Sequence, residues 1–507
     1  MSALNLEAMT RLRRGLDDPQ RRAPLVEALK AYAEKDMAAF HTPGHKQGRG
    51  APADLVEVCG EQALRIDLCE LPEVDSLYSA SGVLKEAQEL AASAYGADSS
   101  FFLVNGSTTG NIVMVLSACD PGDSIIVPRN AHKSVLSALI LAGARPVYMR
   151  PPYDGELGVA GAVTPAEVER ALEENPRAKG VCIVSPTYFG GAADIHQIAA
   201  LCRRRGVPLL VDEAHGPHLH FHPDLPASAL SAGADMVVQS THKIISGMTQ
   251  ASLLHINKGA RIDRGRVKKT LELIQSTSPS YVLMASLDAA RRQMALSGEE
   301  LLGRAIELAE EGRRRLSAIP GVRVFGRELR GRPGLFDLDV TKLTINVTGL
   351  GMTGFEAKRR LNEEHNVQAE MATLHNVLLI VTLGNTMKDI ERTERALEAL
   401  CQDAVARGTF GDPPRAVWLS PPEDLPVVRL SPREAFFAEH ARVPFERAAG
   451  LVSAELVAPY PPGIPILAPG EVIAQEAIDY LRAVERMGGM INGPEDARLR
   501  MIKIVAS

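Results

Sequence analysis

PLLVDEAHGPHLHFHPDLPASALSAGADMVVQSTHK, residues 208–243, carries the pattern from which the fold class follows. It opens on an apolar run, PLLVD, crosses a connection rich in histidine and proline, and returns to a second run, DMVVQ. Each run is continuous rather than alternating, which predicts strands covered on both faces. Each also ends on groups that are costly to bury. Asp212 closes the first run, and Ser240, Thr241, His242 and Lys243 follow the second.

Outward from this stretch the pattern repeats. FFLV (101–104), SIIV (124–127), PVYM (146–149), GVCIV (180–184) and ASLLHI (251–256) are short apolar runs, with SVLSALILAGA and DIHQIAALCRRRG as helical stretches between them. KEAQELAASAYG has apolar residues at helical spacing and Gly96 as its stop. Strands alternating with helices predict an α/β fold around a mostly parallel sheet, with ligands in the crevice at the carboxyl ends of the strands. A long helical region, about 279–318, ends at Ile319-Pro320-Gly321. Beyond it VRVF, KLTINV and NVLLIVTL alternate with GFEAKRRLNEEH and MKDIERTERALEALCQDAVARG, a smaller α+β unit. The expected division is a helical arm (1–38), a large domain (39–320), the small domain (321–410), a Pro-rich linker (411–430) and a C-terminal domain (431–507). The last opens on a helix after Ser431-Pro432 and carries a stiff loop, PYPPGIPILAPGE; HTPGHKQGRG (41–50) also reads as a loop.

The 507 residues carry 56 basic and 62 acidic side chains, a formal charge of -6. That balance disfavours a nucleic-acid binder, whose affinity comes from basic groups meeting phosphates. Hydrophobic residues are 45% and charged ones 23%, as in ordinary globular proteins. At roughly 100–200 residues per domain the length suggests two to four domains. The charged, amphipathic N-terminus lacks a signal-peptide core, and no apolar run approaches the ~20 residues of a membrane span. The six cysteines (59, 69, 119, 182, 202, 401) form no CxxC pair and read as reduced thiols of a cytoplasmic protein.

Chemistry is expected at the strand ends. After FFLV, Asn105-Gly106-Ser107-Thr108-Thr109-Gly110-Asn111 runs into a helix, so free N–H groups and hydroxyls can form a phosphate cup; an ordinary helix cap uses the same residues. Asp212-Glu213-Ala214-His215 also spells a helicase box, but the chain has no GxxxxGK[ST] loop to accompany it. His215, His218, His220 and His222 invite a metal, yet their spacing matches neither HExxH nor a zinc finger, and no metal is expected. Lys243, if it lines a pocket, would be an amine of lowered pKa able to condense with an aldehyde; a surface lysine is the plain alternative. A phosphate cup, a buried carboxylate and a reactive lysine at the ends of one sheet together match pyridoxal phosphate, with His132 available to stack on its ring.

FHTPGHK (40–46), NGSTTGN (105–111), PRNAHKS (128–134), PTYFGGAADI (186–195), VDEAHG (211–216), STHK (240–243), TSPSYVLMASLD (277–288) and PYPPGIPILAPGE (459–471) resemble the pyridoxal-phosphate-dependent ornithine/lysine/arginine decarboxylases, which have the aspartate-aminotransferase type of fold. The resemblance covers nearly the whole chain and is strongest to the short bacterial biosynthetic type, there being no room before His41 for the N-terminal wing of longer members. It implies Lys243 as the Schiff-base lysine, Asp212 as partner of the ring nitrogen and His132 as the stacking residue. It implies Ser107, Thr108, Ser240 and His242 as phosphate ligands and Thr187 near the ring oxygen, with Gly106 and Ala214 completing the cofactor shell. His215 stands where longer members carry an aromatic, with proton transfer as one role. The implied reaction is decarboxylation of a basic amino acid: arginine to agmatine first, lysine to cadaverine or ornithine to putrescine as alternatives. Transamination, a silent binding protein and a metal enzyme are more distant readings. A cationic substrate tail needs carboxylates, for which Glu370, Glu455 and Glu471 are candidates, and active sites shared in a homodimer or larger homo-oligomer are expected.

Overall fold

A computed structural model describes residues 18–414, 421–422, 424–460 and 463–506. The expectations for residues 1–17 of the arm, 415–420 and 423 of the linker, and Pro461-Pro462 of the loop lie outside the described residues.

The apolar runs form one seven-stranded sheet: β1 (Ser99–Leu103), β2 (Ser124–Pro128), β3 (Arg145–Met149), β4 (Val181–Val184), β5 (Leu209–Asp212), β6 (Met236–Gln239) and β7 (Ser252–Ile256). Their spatial order is β1-β7-β6-β5-β4-β2-β3. β5 pairs in parallel with β4 and β6, and β2 with β3 and β4, whereas β7 is antiparallel to both β1 and β6. An apolar run carries no direction, so this reversal has no mark in ASLLHI itself. It follows from the connection: residues 240–251 hold one helical turn, Thr241–Ile244, too little to lay a helix back across the sheet.

Alternate residues of the central strands feed two cores. Leu209 and Val211 pack with Ile183 and Val237 on one face, while Leu210 packs with Cys182, Met236 and Val238 on the other. Helix α1 (Gly106–Ala118) lies so close to the second face that a Cβ on Gly110 would stand 2.2 Å from Val238 Cγ2. Glycine there brings the start of α1 down onto the strand ends. Helix α2 (Lys133–Ala142) follows β2, its N-terminus capped by the ring of His132.

Helix α3 (Tyr281–Ser317) joins the two lobes. Its first half buries Tyr281, Met284 and Leu287 in the large core, and its second half sends Ala309 and Leu316 into the small one. The small lobe is an antiparallel sheet of β8 (Arg323–Val324), β9 (Lys342–Asn346), β10 (Met371–Ala372) and β11 (Asn376–Ile380), in the order β8-β9-β11-β10. The C-terminal segment opens with the short helix Pro432–Phe437, which carries a Ser431–Glu434 capping box. It then pairs His440–Pro444 with Met501–Val505. Pro459 and Tyr460, expected as the start of a loop, belong instead to the strand Ala458–Tyr460, which pairs with Met490–Asn492. Arg129 at the end of β2 clasps this segment, donating to the carbonyls of Pro465 and Ile466 and to Glu471.

Candidate active site

Asp212 ends β5 nearly buried, and both its oxygens are aimed. Asn111 Nδ2 donates to Oδ2 at 2.7 Å and the Ala214 N–H to Oδ1 at 3.1 Å. The same Asn111 amide donates to Ser134 Oγ at 2.9 Å. Ser134 in turn meets His132 Nδ1 through its hydroxyl at 2.9 Å and its backbone N–H at 3.2 Å. An N–H can only donate, so Nδ1 is the acceptor and the His132 proton sits on Nε2. Burial, opposed by Asp212 and reinforced by Lys243 and Lys133, lowers this imidazole to about 4. A neutral, flat ring is thus anchored on one side of the site.

Lys243 sits in the helical turn after β6 with its ammonium end enclosed. Burial lowers its pKa, against the pull of Asp212 and Glu370. Its Nζ lies 3.1 Å from His215 Nε2 and 5.5 Å from the centre of the Tyr188 ring. Tyr188 packs on His215, ring centres 4.4 Å apart. Burial, with Lys243, Lys342, His132 and His218 around it, holds His215 well below the ordinary imidazole value.

At the N-terminus of α1, Ser240 Oγ donates to Ser107 Oγ at 2.9 Å, so two hydroxyls predicted for a phosphate do converge. Thr108 is exposed one residue on. The Gly106 N–H, in contrast, is already given to Gln250 O at 2.9 Å; Gly106 serves the turn by its φ of +71°, leaving the next N–H groups of the helix for an anion. His242 donates from Nδ1 to Ala251 O at 3.0 Å, and burial lowers its pKa. Thr187 is buried with Oγ1 unpartnered, as is Asn111 Oδ1. Buried polar atoms without partners are uncommon and mark where a bound group would complete the bonding.

The three substrate acids separate. Glu370 is exposed at the edge of β10 and its charge acts on Lys243, His242 and Lys342. Glu455 is turned into the C-terminal segment, where its two oxygens accept the N–H groups of Glu495 and Lys503, each at 2.8 Å. Glu471 accepts from Arg129 at 2.9 Å and from the Ala468 N–H at 2.8 Å, and burial raises its pKa. Both Glu471 bonds fall on Oε2, and its Oε1 is buried without a partner; in this chain Glu455 and Glu471 thus tie backbone and domain together. The four histidines also diverge: His215 faces Lys243, His218 faces Asp339, His220 stacks on Tyr95, and His222 accepts the Asp224 N–H. Among the described residues no group of three His, Cys, Asp or Glu side chains is placed to hold a metal.

Sequence reasoning passed over Asn111, Tyr188, Glu213 and Lys342. Asn111 and Tyr188 lie inside quoted motifs. Lys342 opens the buried strand KLTIN, and a cation at the edge of a buried run is the same signal that Lys243 gives. It is buried to 1% exposure, with Nζ 3.4 Å from His215 Nδ1.

A large α/β lobe with one reversed strand, joined by a long helix to a smaller α+β lobe, is the architecture of the fold-type I pyridoxal-phosphate enzymes. The crystal structure of the lysine decarboxylase of Francisella novicida superposes with a TM-score of 0.82 at 24% identity, covering 95% of this chain and 81% of that one. The chain belongs to the Orn/Lys/Arg decarboxylase family: the major domain of that family matches residues 23–389 and its C-terminal domain residues 421–496. It is 42% identical over 486 residues to an arginine decarboxylase of Halalkalibacterium halodurans, covering 96% of this chain and 98% of that protein. Against an arginine decarboxylase of Bacillus subtilis the identity is 40% over the same shares. Among the described residues no helix is long and apolar enough to cross a membrane.

Proposed function

We propose that this protein is a pyridoxal-phosphate-dependent decarboxylase that converts L-arginine to agmatine and carbon dioxide. The observation that carries the reading is the enclosed Lys243 amine on the sheet that presents Asp212, His132 and the Ser107–Ser240 pair at its strand ends, in a chain of this family. The two arginine decarboxylases at 42% and 40% identity support arginine over lysine or ornithine.

When bound, pyridoxal phosphate supplies an aldehyde for an amine and a conjugated ring that takes up the electron pair left by carbon dioxide. Asp212, fixed by Asn111 and Ala214, would hold the proton on the ring nitrogen. His132 would lie against a ring face, Thr187 would give its unpaired hydroxyl to the ring oxygen, and Ser107, Thr108, Ser240 and His242 would hold the phosphate. Lys243 carries the amine that burial keeps ready to lose its proton. Glu370 is the acid we assign to the guanidinium tail, since it alone of the three candidates acts on Lys243. We further infer a cytoplasmic homo-oligomer with shared active sites; Phe40, next to the HTPGHK loop, is 92% exposed, as an apolar side chain awaiting a second copy would be.

Purified holoenzyme incubated separately with arginine, lysine and ornithine tests the proposal. Agmatine as the dominant amine is expected. Preferential cadaverine or putrescine would overturn the substrate, and a keto acid in place of carbon dioxide would overturn the reaction.

A further inference from the structure

Behind Lys243 the site continues into the small lobe through groups that no cofactor role employs. His215 stands between two lysines: Nε2 is 3.1 Å from Lys243 Nζ and Nδ1 is 3.4 Å from Lys342 Nζ. Lys342 is backed by Asp339, whose Oδ1 accepts the N–H and hydroxyl of Thr341. Asp339 Oδ2 lies 3.2 Å from His218 Nε2, an ion-pair distance without hydrogen-bond alignment, and both side chains are fully buried. The charged or titratable groups around this pair are Lys243, His132, His218 and the packed Tyr188 ring on His215, and Asp339, Lys243 and Glu370 on Lys342.

A neutral imidazole has one acceptor nitrogen. It can accept from one ammonium while donating to one amine, but it cannot accept from two ammoniums. The geometry therefore allows one of the two lysines to be protonated and bonded at a time. From this we propose that Lys243, His215 and Lys342 share a single mobile proton, with Lys342 as a positioning residue that stores it while Lys243 is occupied and returns it through the ring.

The transfer is balanced. Lys342 Nζ gives a proton to Nδ1 as Nε2 gives its own to Lys243 Nζ; the ring exchanges one tautomer for the other, and one positive charge moves from Lys342 to Lys243. The reaction consumes one proton per turnover, at the carbon that loses carbon dioxide; after product leaves, a solvent proton enters the ring at Nε2 as Nδ1 returns its own to Lys342, which restores both the Lys342 ammonium and the starting tautomer. Two further facts suit this arrangement. Burial and the lysines on either side hold His215 well below the ordinary imidazole value, which suits a ring that passes protons while neutral. Burial, eased by Asp339 and worsened by Lys243, brings Lys342 down to about 8, where it can give up its proton near neutral pH.

The inference rests on the decarboxylase reading, and its test separates the two. Solid-state ¹⁵N NMR of histidine-labelled holoenzyme, with the His215 signals assigned by a His215→Gln variant, reads the tautomer without any substrate. The wild type is expected to show Nε2 protonated and Nδ1 free, and Lys342→Met to lose that preference. Lys342→Met should also load cofactor normally, judged by its visible absorbance, while kcat falls about a hundredfold with KM little changed, the usual loss when an acid–base group is removed. Lys342→Arg keeps a cation and a donor but holds its proton too tightly to release it. It should restore the wild-type tautomer and not the rate. Full kcat in Lys342→Arg would overturn proton storage, as would an unchanged tautomer and rate in Lys342→Met. Should the wild type release no amine from any of the three substrates, the decarboxylase reading fails, and the NMR result still decides the tautomer.

Discussion

Glu213 offers the sharpest test of how this site divides its charges. It follows Asp212 directly and is fully buried, accepting from the Ala229 N–H at 2.6 Å and from Gln239 Nε2 at 2.6 Å. Burial raises its pKa to about 8, although both bonds oppose the rise. The carboxyl of Glu213 is thereby kept neutral at the end of the strand. In the unfolded chain Glu213 releases its proton near the ordinary value of 4.5, so between these limits the folded state binds one proton more. Stability is then full below the unfolded value and is lost as pH rises through the folded one, at about 1.4 kcal/mol per pH unit. From about pH 5 to pH 8 the loss amounts to about 4 kcal/mol. Glu213→Gln removes the titration. A turn of the Gln239 amide, which also meets His255 at 3.1 Å, lets the new amide donate to it. Thermal melting of the two proteins at equal cofactor loading measures the effect. Their midpoints should diverge in favour of the variant as pH rises, by several degrees over this range. A gap that stays constant from pH 5 to pH 8 would show Glu213 ionised throughout and refute the assignment.

Two further outcomes follow from the bonding of the site. Asn111→Ala removes the donor to Asp212 Oδ2 and to Ser134; a bond to a charged group is worth about 1.5–3 kcal/mol, so cofactor affinity should fall at least about tenfold in an absorbance titration. Unchanged affinity would mean that Asn111 does not orient Asp212. Glu370→Gln should raise KM for the basic substrate with little change in melting temperature, whereas Glu455→Gln should lower the melting temperature and leave KM alone, because its oxygens serve Glu495 and Lys503. The opposite pattern would return Glu455 to the substrate pocket.

Much of this was legible because buried strands announce themselves. The runs ending at Asp212 and Gln239 had to place whatever followed them at the edge of a covered sheet, and there a charged side chain is either paired or put to use. Helix ends were equally plain, as with Gly96, which terminates Val83–Tyr95 in the left-handed conformation at φ +71°. The direction of β7 was not legible, since hydrophobicity has no sense along a chain. Nor was the fate of Gly106, whose N–H is taken by Gln250 through a tertiary contact that no local pattern records.

The acids show most clearly where reading by residue type stops. Glu370, Glu455 and Glu471 are alike in sequence, each beside apolar or Pro/Gly residues, and each is able to meet a cation. What separates them is whether other donors reach them first. Glu455 spends both oxygens on backbone N–H groups; Glu471 spends Oε2 on Arg129 and Ala468 and keeps Oε1 buried beside them without a partner, so Glu370 is the one acid of the three that is open to solvent. The same logic runs in reverse for the lysines. Lys243 and Lys342 come from different lobes, one after β6 and one opening β9, and neither run hints at the other. Only the fold places a single imidazole between them, and an imidazole has one acceptor nitrogen to offer. The site thus acquires its proton chemistry from a pairing that exists only once the two lobes are packed.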